Sequence, residues 1–307
     1  MNLFNTLRIL IGITIMTNIN AAPTFNKPVY TLSYEVYGTG AEIRLNDIPA
    51  VYSTSQGKTK TSRPVPESII DGVNTIQINA FTLKKDDNEF RDGSYVDVTL
   101  SVNNENAPLG NSTPILHLKI NPNLEGDFLS QTKNPINISK PEIISNEERL
   151  KSARIEVKID SPFPRWSWQD GKTIENNQEN FDTLLEKYKE IHQALNRKDN
   201  QHVYQLYDAT ASEFSAAYNR SDVSDGHSII STGELMNDSD WKLGSIDLIL
   251  TKREYELDIY ANGKLARIID NFKKESLITY INPADRLTSF QKFAFYKNNN
   301  NEWVMIR

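Results

Sequence analysis

Short runs of alternating apolar and polar residues dominate the chain from Pro28 to about Asp160. Thr75–Leu83 (TIQINAFTL) alternates most cleanly, with Ile76, Ile78 and Ala80 on one side. Tyr30–Val36, Ala41–Leu45, Tyr95–Val102, Ile115–Ile120 and Ala153–Ile159 behave likewise. A strand sends successive side chains to opposite faces, so each run predicts a strand with one buried face. Turn-forming residues separate the runs, Gly38-Thr-Gly40 after the first and Asn46-Asp47 after the second, as hairpin connections require. Successive strands without helical patterning between them predict an all-β sandwich.

After Gly171 the period changes. Asn176 with Glu179 three residues on matches a helix start, because an amide or carboxylate there can cap free backbone N–H groups. Phe181, Leu184, Leu185, Tyr188, Ile191 and Leu195 then form one stripe at three- and four-residue steps. Asn196-Arg-Lys-Asp-Asn200 breaks it with a fresh cap, and Val203, Leu206, Tyr207, Phe214, Ala217 and Tyr218 form a second stripe. The pattern predicts an antiparallel helical hairpin with one apolar face, and a shorter helix near Gly233–Met236. Strands are expected at Ile246–Thr251, Tyr255–Tyr260, Leu265–Ile269, Leu277–Ile281, Phe290–Tyr296 and Trp303–Ile306. Ala261-Asn262-Gly263 marks a tight hairpin, since Asn and Gly tolerate positive φ. The expected fold is therefore two-domain: an N-terminal all-β sandwich (22–160), then a C-terminal α+β domain (176–307) in which a helical hairpin packs on a curved antiparallel sheet.

Between the two lies a Pro/Trp-rich linker, 161–175, with two prolines and three aromatics in Ile159–Trp168. Proline disfavours both helix and interior strand. Phe163, Trp166 and Trp168 are the candidate binding residues: exposed, they would form an aromatic recognition platform. Packed, they would wedge between the domains and fix their orientation.

The N-terminus changes the compartment. Met1–Arg8 carries one positive side chain, Ile9–Met16 (ILIGITIM) is a short apolar run, and Thr17–Ala22 ends in small residues. That order reads as a secretory signal over 1–21, cleaved near Ala21. About eight apolar residues cannot span a bilayer that needs about 20 in a helix, and no later stretch reaches that length, so no integral membrane segment is expected in the mature chain. The chain has no cysteine, which excludes disulfides, thiol catalysis and zinc–thiolate sites and favours a periplasmic or secreted bacterial protein. The formal charge of −6 and the lack of a dense Lys/Arg block argue against nucleic acid as a partner. Lys58-Thr-Lys60 with Arg63 is a small, solvent-facing basic patch. Four glycosylation sequons, at Asn111, Asn137, Asn219 and Asn237, are expected by chance in so asparagine-rich a chain.

Two segments resemble known families. Ile43-Arg-Leu-Asn-Asp-Ile-Pro-Ala50, followed by Pro64-Val-Pro-Glu-Ser-Ile-Ile-Asp-Gly-Val-Asn-Thr-Ile76, resembles the jelly-roll, galactose-binding-like domains that accompany many glycoside hydrolases. There a strand ending Leu-Asn-Gly turns back before a Gly-x-Asn-x-Ile segment, and here Asp47 stands where glycine is usual. The resemblance implies a β-sandwich and, as a partner, carbohydrate. Ala194-Leu-Asn-Arg-Lys-Asp199, Val203–Tyr207 and a terminal Glu302-Trp-Val-Met-Ile-Arg307 are similar to nuclear transport factor 2-like domains, a cone-shaped α+β fold with a pocket between helices and sheet. In organisation (leader, β-sandwich, α+β domain, no catalytic motif) the chain resembles exported bacterial immunity-type proteins, which implies a protein partner.

Catalytic chemistry is thinly represented. Four histidines occur, at 117, 192, 202 and 227. A His192–Asp208 or His202–Asp208 pair would make a base and its orienter, although His202 and Asp208, six positions apart, do not share a face of a straight helix. No serine-nucleophile elbow, zinc-helix, phosphate-loop or dinucleotide motif appears. Asp86–Gly93 gathers four acids but lacks the calcium-loop spacing, and a solvated hairpin loop is expected. No catalytic residue, metal site or cofactor is assigned. The function expected is an exported periplasmic binding protein of immunity or inhibitor type; the alternatives are a cell-envelope carbohydrate binder and a hydrolase or isomerase with a C-terminal pocket.

Overall fold

The structure, a computed structural model, describes residues 25, 27–83, 89–107, 111–124, 128–131, 139–250, 254–271 and 274–306. The leader, Asp86–Asn88 of the acidic loop and the sequon at Asn137 lie outside these residues.

The N-terminal half contains β1 (Pro28–Tyr37), β2 (Gly40–Leu45), β3 (Ile48–Ser53), β4 (Thr59–Pro64), β5 (Gly72–Phe81), β6 (Tyr95–Asn104), β7 (Thr113–Ile120), β8 (Leu129–Gln131), β9 (Glu142–Glu147) and β10 (Leu150–Ile159). They form two antiparallel sheets, ordered β4-β1-β6-β7-β8 and β3-β2-β5-β10-β9. Leu32, Val36, Val98 and Leu100 of the first and Ile43, Leu45, Ile76 and Ile78 of the second are wholly buried between them. This is a β-sandwich, built where the alternation placed its apolar face.

All four edge strands, β3, β4, β8 and β9, escaped the sequence reading. β4 (TKTSRP) exposes nearly every side chain and is held to β1 with Lys60 opposite Glu35. Lys58 and Lys60 lie 2.7 and 3.4 Å from Glu35 carboxylate oxygens, so the basic patch is partly neutralised. Charged edges discourage pairing with other chains, and a strand wet on both faces has no alternation to read.

The jelly-roll-like segments meet through two buried asparagines. Asn46 and Asp47 both have positive φ, 53° and 62°, the geometry of a two-residue hairpin turn. The Asn46 side-chain amide donates to Asn74 Oδ1 (2.7 Å) and to the Ser68 carbonyl (2.8 Å). Its Oδ1 accepts from Thr75 N–H at 2.8 Å. The Asn74 amide donates to the Ile70 and Gly72 carbonyls. These amides pair backbone groups that burial would otherwise strand. Asp47, in the usual glycine place, accepts from Arg44 Nε at 2.9 Å and from the Asn262 N–H at 3.0 Å, tying the hairpin tip to the other half of the molecule.

That half contains α1 (Gln178–Arg197), α2 (Asn200–Ala217), α3 (Val223–Ile229), α4 (Glu234–Asn237), β11 (Lys242–Leu243), α5 (Ile246–Leu250), β12 (Tyr255–Tyr260), β13 (Leu265–Asp270), β14 (Ile278–Asn282), β15 (Leu287–Gln291), β16 (Phe295–Lys297) and β17 (Trp303–Met305). The α1 cap is Asn177, one residue beyond the expected Asn176, accepting from Asn180 N–H. Lys198, at φ 55°, ends α1, and Asp199 caps α2 by accepting from His202 N–H. The hairpin is thus closed by the polar break read in the sequence. Among the described residues no helix is long and apolar enough to cross a membrane.

The strands here form two antiparallel sheets rather than one, β12-β13-β16-β17 and β11-β14-β15, linked by a bridge between Ile269 and Ser276. Expected strand Phe290–Tyr296 is broken because Lys292–Ala294 carry the chain from β15 in one sheet to β16 in the other. Expected strand Ile246–Thr251 is instead the short helix α5, up to Leu250; a brief apolar run fits either state.

The four-stranded sheet is buried on both faces. Leu265, Ala294 and Ile306 join the sandwich core, whereas their neighbours Ala266, Phe295 and Met305 join a second core with Leu184, Tyr188, Ile191 and Val203 of the helices. Adjacent residues on opposite faces reach different cores, as the pleat dictates. The molecule is therefore layered as sandwich, shared sheet, helices. α2 spans the layers: Val203 lies in the second core and Ala217 in the first.

Candidate functional site

Phe163, Trp166 and Trp168 lie in the sandwich core, with 6, 1 and 5% of their surface exposed. Phe163 meets Tyr30 edge-on at 5.8 Å and Trp166 at 5.6 Å. The Trp166 indole N–H donates to the Ile69 carbonyl at 2.7 Å, and Gln169 Oε1 accepts its backbone N–H. Proline bends the chain away from regular pairing, and the rings fill the space beneath. The three rings are thus packed in the sandwich core rather than exposed, and Ile174 of the same segment enters the second core.

The two halves instead enclose a cleft of about 450 Å³. One wall comes from β2, β3, Arg63 of β4 and the turn at Glu67–Ser68; the other from β12, β13, Phe214 of α2 and Lys292–Ala294. Its position follows from the fold: the Asp47–Asn262 contact joins the two halves close in sequence to the lining residues Ile48 and Tyr260, and Phe293 and Ala294 lie where the chain steps between sheets. Apolar Ile48, Val51 and Phe293 share the walls with charge. Five cations (Arg44, Arg63, Arg267, Lys274, Lys292) stand against three carboxylates (Glu42, Glu67, Asp258).

Three of the cations are engaged. Arg44 binds Asp47 and Glu42. Arg267 donates through Nε to Asp258 Oδ2 at 2.7 Å, with its guanidinium 5.4 Å from the Tyr260 ring. Lys274 pairs with Glu256. Arg63 donates to the Ala50 carbonyl at 2.7 Å, and neither it nor Lys292 forms an ion pair among the described residues. Lys292 is exposed overall, yet desolvation of its ammonium end pulls its pKa down, and the charges of Arg63 and Arg267 push the same way. Tyr52, about half exposed at 48% and stacked on Phe81 at 5.8 Å, stands on the β3 wall. Arg and Tyr are the residues that most often anchor protein interfaces. Sequence reasoning missed the cleft, since its residues come from segments up to 252 positions apart (Glu42 to Ala294).

The histidines fall elsewhere. His117 Nε2 lies 2.7 Å from Asp97 on the neighbouring strand, and His192 Nε2 lies 2.7 Å from the Gly244 carbonyl. Neither His192 nor His202 pairs with Asp208. That carboxylate sits 3.0 Å from Nε2 of His227, whose Nδ1 is 3.0 Å from the Thr232 hydroxyl and whose ring lies 4.6 Å from Tyr204. His227 is on α3 rather than in a loop and is 8% exposed, at the side of an open depression between α2 and α3. The signal for it was Gly226: a glycine inside a helix marks close backbone approach, and here it lets α3 touch α2. Among the described residues no three potential metal-ligating side chains converge.

Comparison of the chain with protein-family models, with curated proteins and with solved structures finds no significant match in any of the three.

Proposed function

We propose that the chain is an exported periplasmic binding protein of immunity or inhibitor type, which grips a protein partner in the cleft between its halves. The observation that carries this reading is the cleft itself, contributed by both halves and fixed by contacts at its rim. A preformed concave surface loses little ordering entropy on binding, and its mix of apolar side chains, Tyr and Arg suits a protein surface. The leader and the absence of cysteine support the compartment. Carbohydrate binding, suggested by the jelly-roll-like segment and the Trp166/Trp168 pair, loses the second of these supports because both indoles are buried.

The test is recovery of the tagged full-length chain from a bacterial periplasm. The expected product begins at Ala22 and retains a stoichiometric protein partner, which Tyr52→Ala weakens by about tenfold or more, the usual cost of truncating an aromatic anchor. An uncut leader in the cytosol, or a partner indifferent to Tyr52→Ala, refutes the proposal.

A second reading, a hydrolase or isomerase, has one observation in its favour: a histidine hydrogen-bonded to both a carboxylate and a hydroxyl at a surface depression. A base held by an acid can activate a hydroxyl or water. This reading expects turnover of a small ester or amide that Asp208→Asn lowers by about a hundredfold with the melting temperature unchanged; wild-type inactivity toward such substrates removes it.

A further inference from the structure

The cleft concentrates positive charge in a chain that is acidic overall, −6 by formal count. Two of its cations, Arg63 and Lys292, are exposed and have no carboxylate partner among the described residues. Arg267 spends its Nε on Asp258. The three come from β4, β13 and the crossing between β15 and β16, so the fold itself brings the like charges together. Holding cations near one another in a partly dry cleft is unfavourable until an anion enters.

We infer that Lys292, Arg63 and Arg267 form a carboxylate-recognition point within the cleft, which receives an acidic side chain or chain end of the protein partner. The inference rests on the proposed binding role and names the chemistry of its anchor. Glu42, Glu67 and Asp258 in the same walls limit the excess to a small positive charge; that matches a single carboxylate and is too little to hold a phosphate-rich polyanion. Ile48, Val51 and Phe293 beside it give an apolar seat for the residues flanking that carboxylate. Arg63 and Arg267 supply planar donors suited to a carboxylate, and Lys292 a movable charge. Desolvation and the two neighbouring arginines already depress the Lys292 pKa, and an anion among them restores it by linkage.

The experiment uses the mature chain with ¹³C-labelled lysine, titrated with glutarate or inorganic phosphate at constant ionic strength. Glutarate is expected to shift the Lys292 Cε resonance saturably and to raise its titration midpoint. Lys187 and Lys189, already paired with Glu190 and Glu186, stay unmoved. Arg63→Gln weakens glutarate by about tenfold and Arg63→Lys by less, as loss of a charged donor requires. Both Arg63 and Lys292 are exposed, so an unchanged melting temperature confirms intact folding of the glutamine variants. Absence of a saturable shift, or phosphate binding tighter than glutarate, overturns the inference. So does full retention of the partner by the Arg63→Gln/Lys292→Gln double variant, which leaves the binding role standing. Saturable glutarate binding in a wild-type chain that captures no protein refutes the binding role and the proteinaceous source together, and assigns the point to a free small acid.

Discussion

Trp166→Ala will lower the free energy of unfolding by about 4 kcal/mol, the range found for emptying a fully buried aromatic site. Trp166 is 1% exposed and ranks among the largest wholly buried side chains. Removing its ring leaves a cavity beside Phe163 and strips the Ile69 carbonyl of the indole N–H that reaches it at 2.7 Å. A buried carbonyl left without a donor adds about 1–3 kcal/mol on its own, so Trp166→Phe, which keeps most of the apolar volume, isolates that contribution at about 1–2 kcal/mol. Ile69 follows the turn Pro66–Ser68, whose Glu67 and Ser68 line the cleft. The alanine variant should therefore also loosen partner binding from a distance. Urea denaturation followed by tyrosine fluorescence measures the first effect. A loss below about 1 kcal/mol, typical of surface sites, would show that the Pro/Trp segment is not part of the core.

Gly226→Ala will destabilise the fold by about 3 kcal/mol or more, in the upper range of overpacking. In an exposed helix interior the same change gains about 1 kcal/mol. The sign reverses here because a methyl at Gly226 would stand 1.8 Å from the Ala211 carbonyl oxygen and 2.5 Å from its carbon. Those are backbone atoms of α2, so no rotamer change relieves the clash and α3 must move away. His227, the next residue, would then lose Asp208 and Tyr204. Thermal melts by circular dichroism and the His227 ring resonances report the two consequences. A Gly226→Ala chain as stable as the parent would mean that the helices do not cross at this contact.

Legibility of the fold followed burial. β5 was readable because Ile76, Ile78 and Ala80 face a core while their neighbours face outward. β4 and β9 were not, since both faces of an edge strand meet water and hydrophobicity has nothing to alternate with. In the four-stranded sheet the strands Tyr255–Tyr260, Leu265–Ile269 and Trp303–Ile306 were legible as β12, β13 and β17, but its double burial was not: Leu265 and Ala266 are both buried, in different cores. Ile246–Leu250 offered too few residues to separate helix from strand. In the candidate site, Arg63 was visible only as part of a sparse basic patch, and Lys292 stood inside an expected strand. Their convergence with Arg267 depends on two hairpins and a sheet crossing, none of which has a sequence signature at the distances involved. Asp47 was noted as a departure from glycine, but the reason, an N–H of Asn262 awaiting a carboxylate, belongs to a residue 215 positions away.

A sheet that serves as wall to two cores makes the halves thermodynamic hostages of each other. Cutting the chain between residues 160 and 176 and separating the pieces would strip Leu265, Ala294 and Ile306 from the sandwich core that they join. Neither fragment would retain a complete interior, and calorimetry of the intact chain should register one endotherm for both. Any force or protease that peels β17 from β16 would thus take Met305 from one interior and Ile306 from the other in the same event.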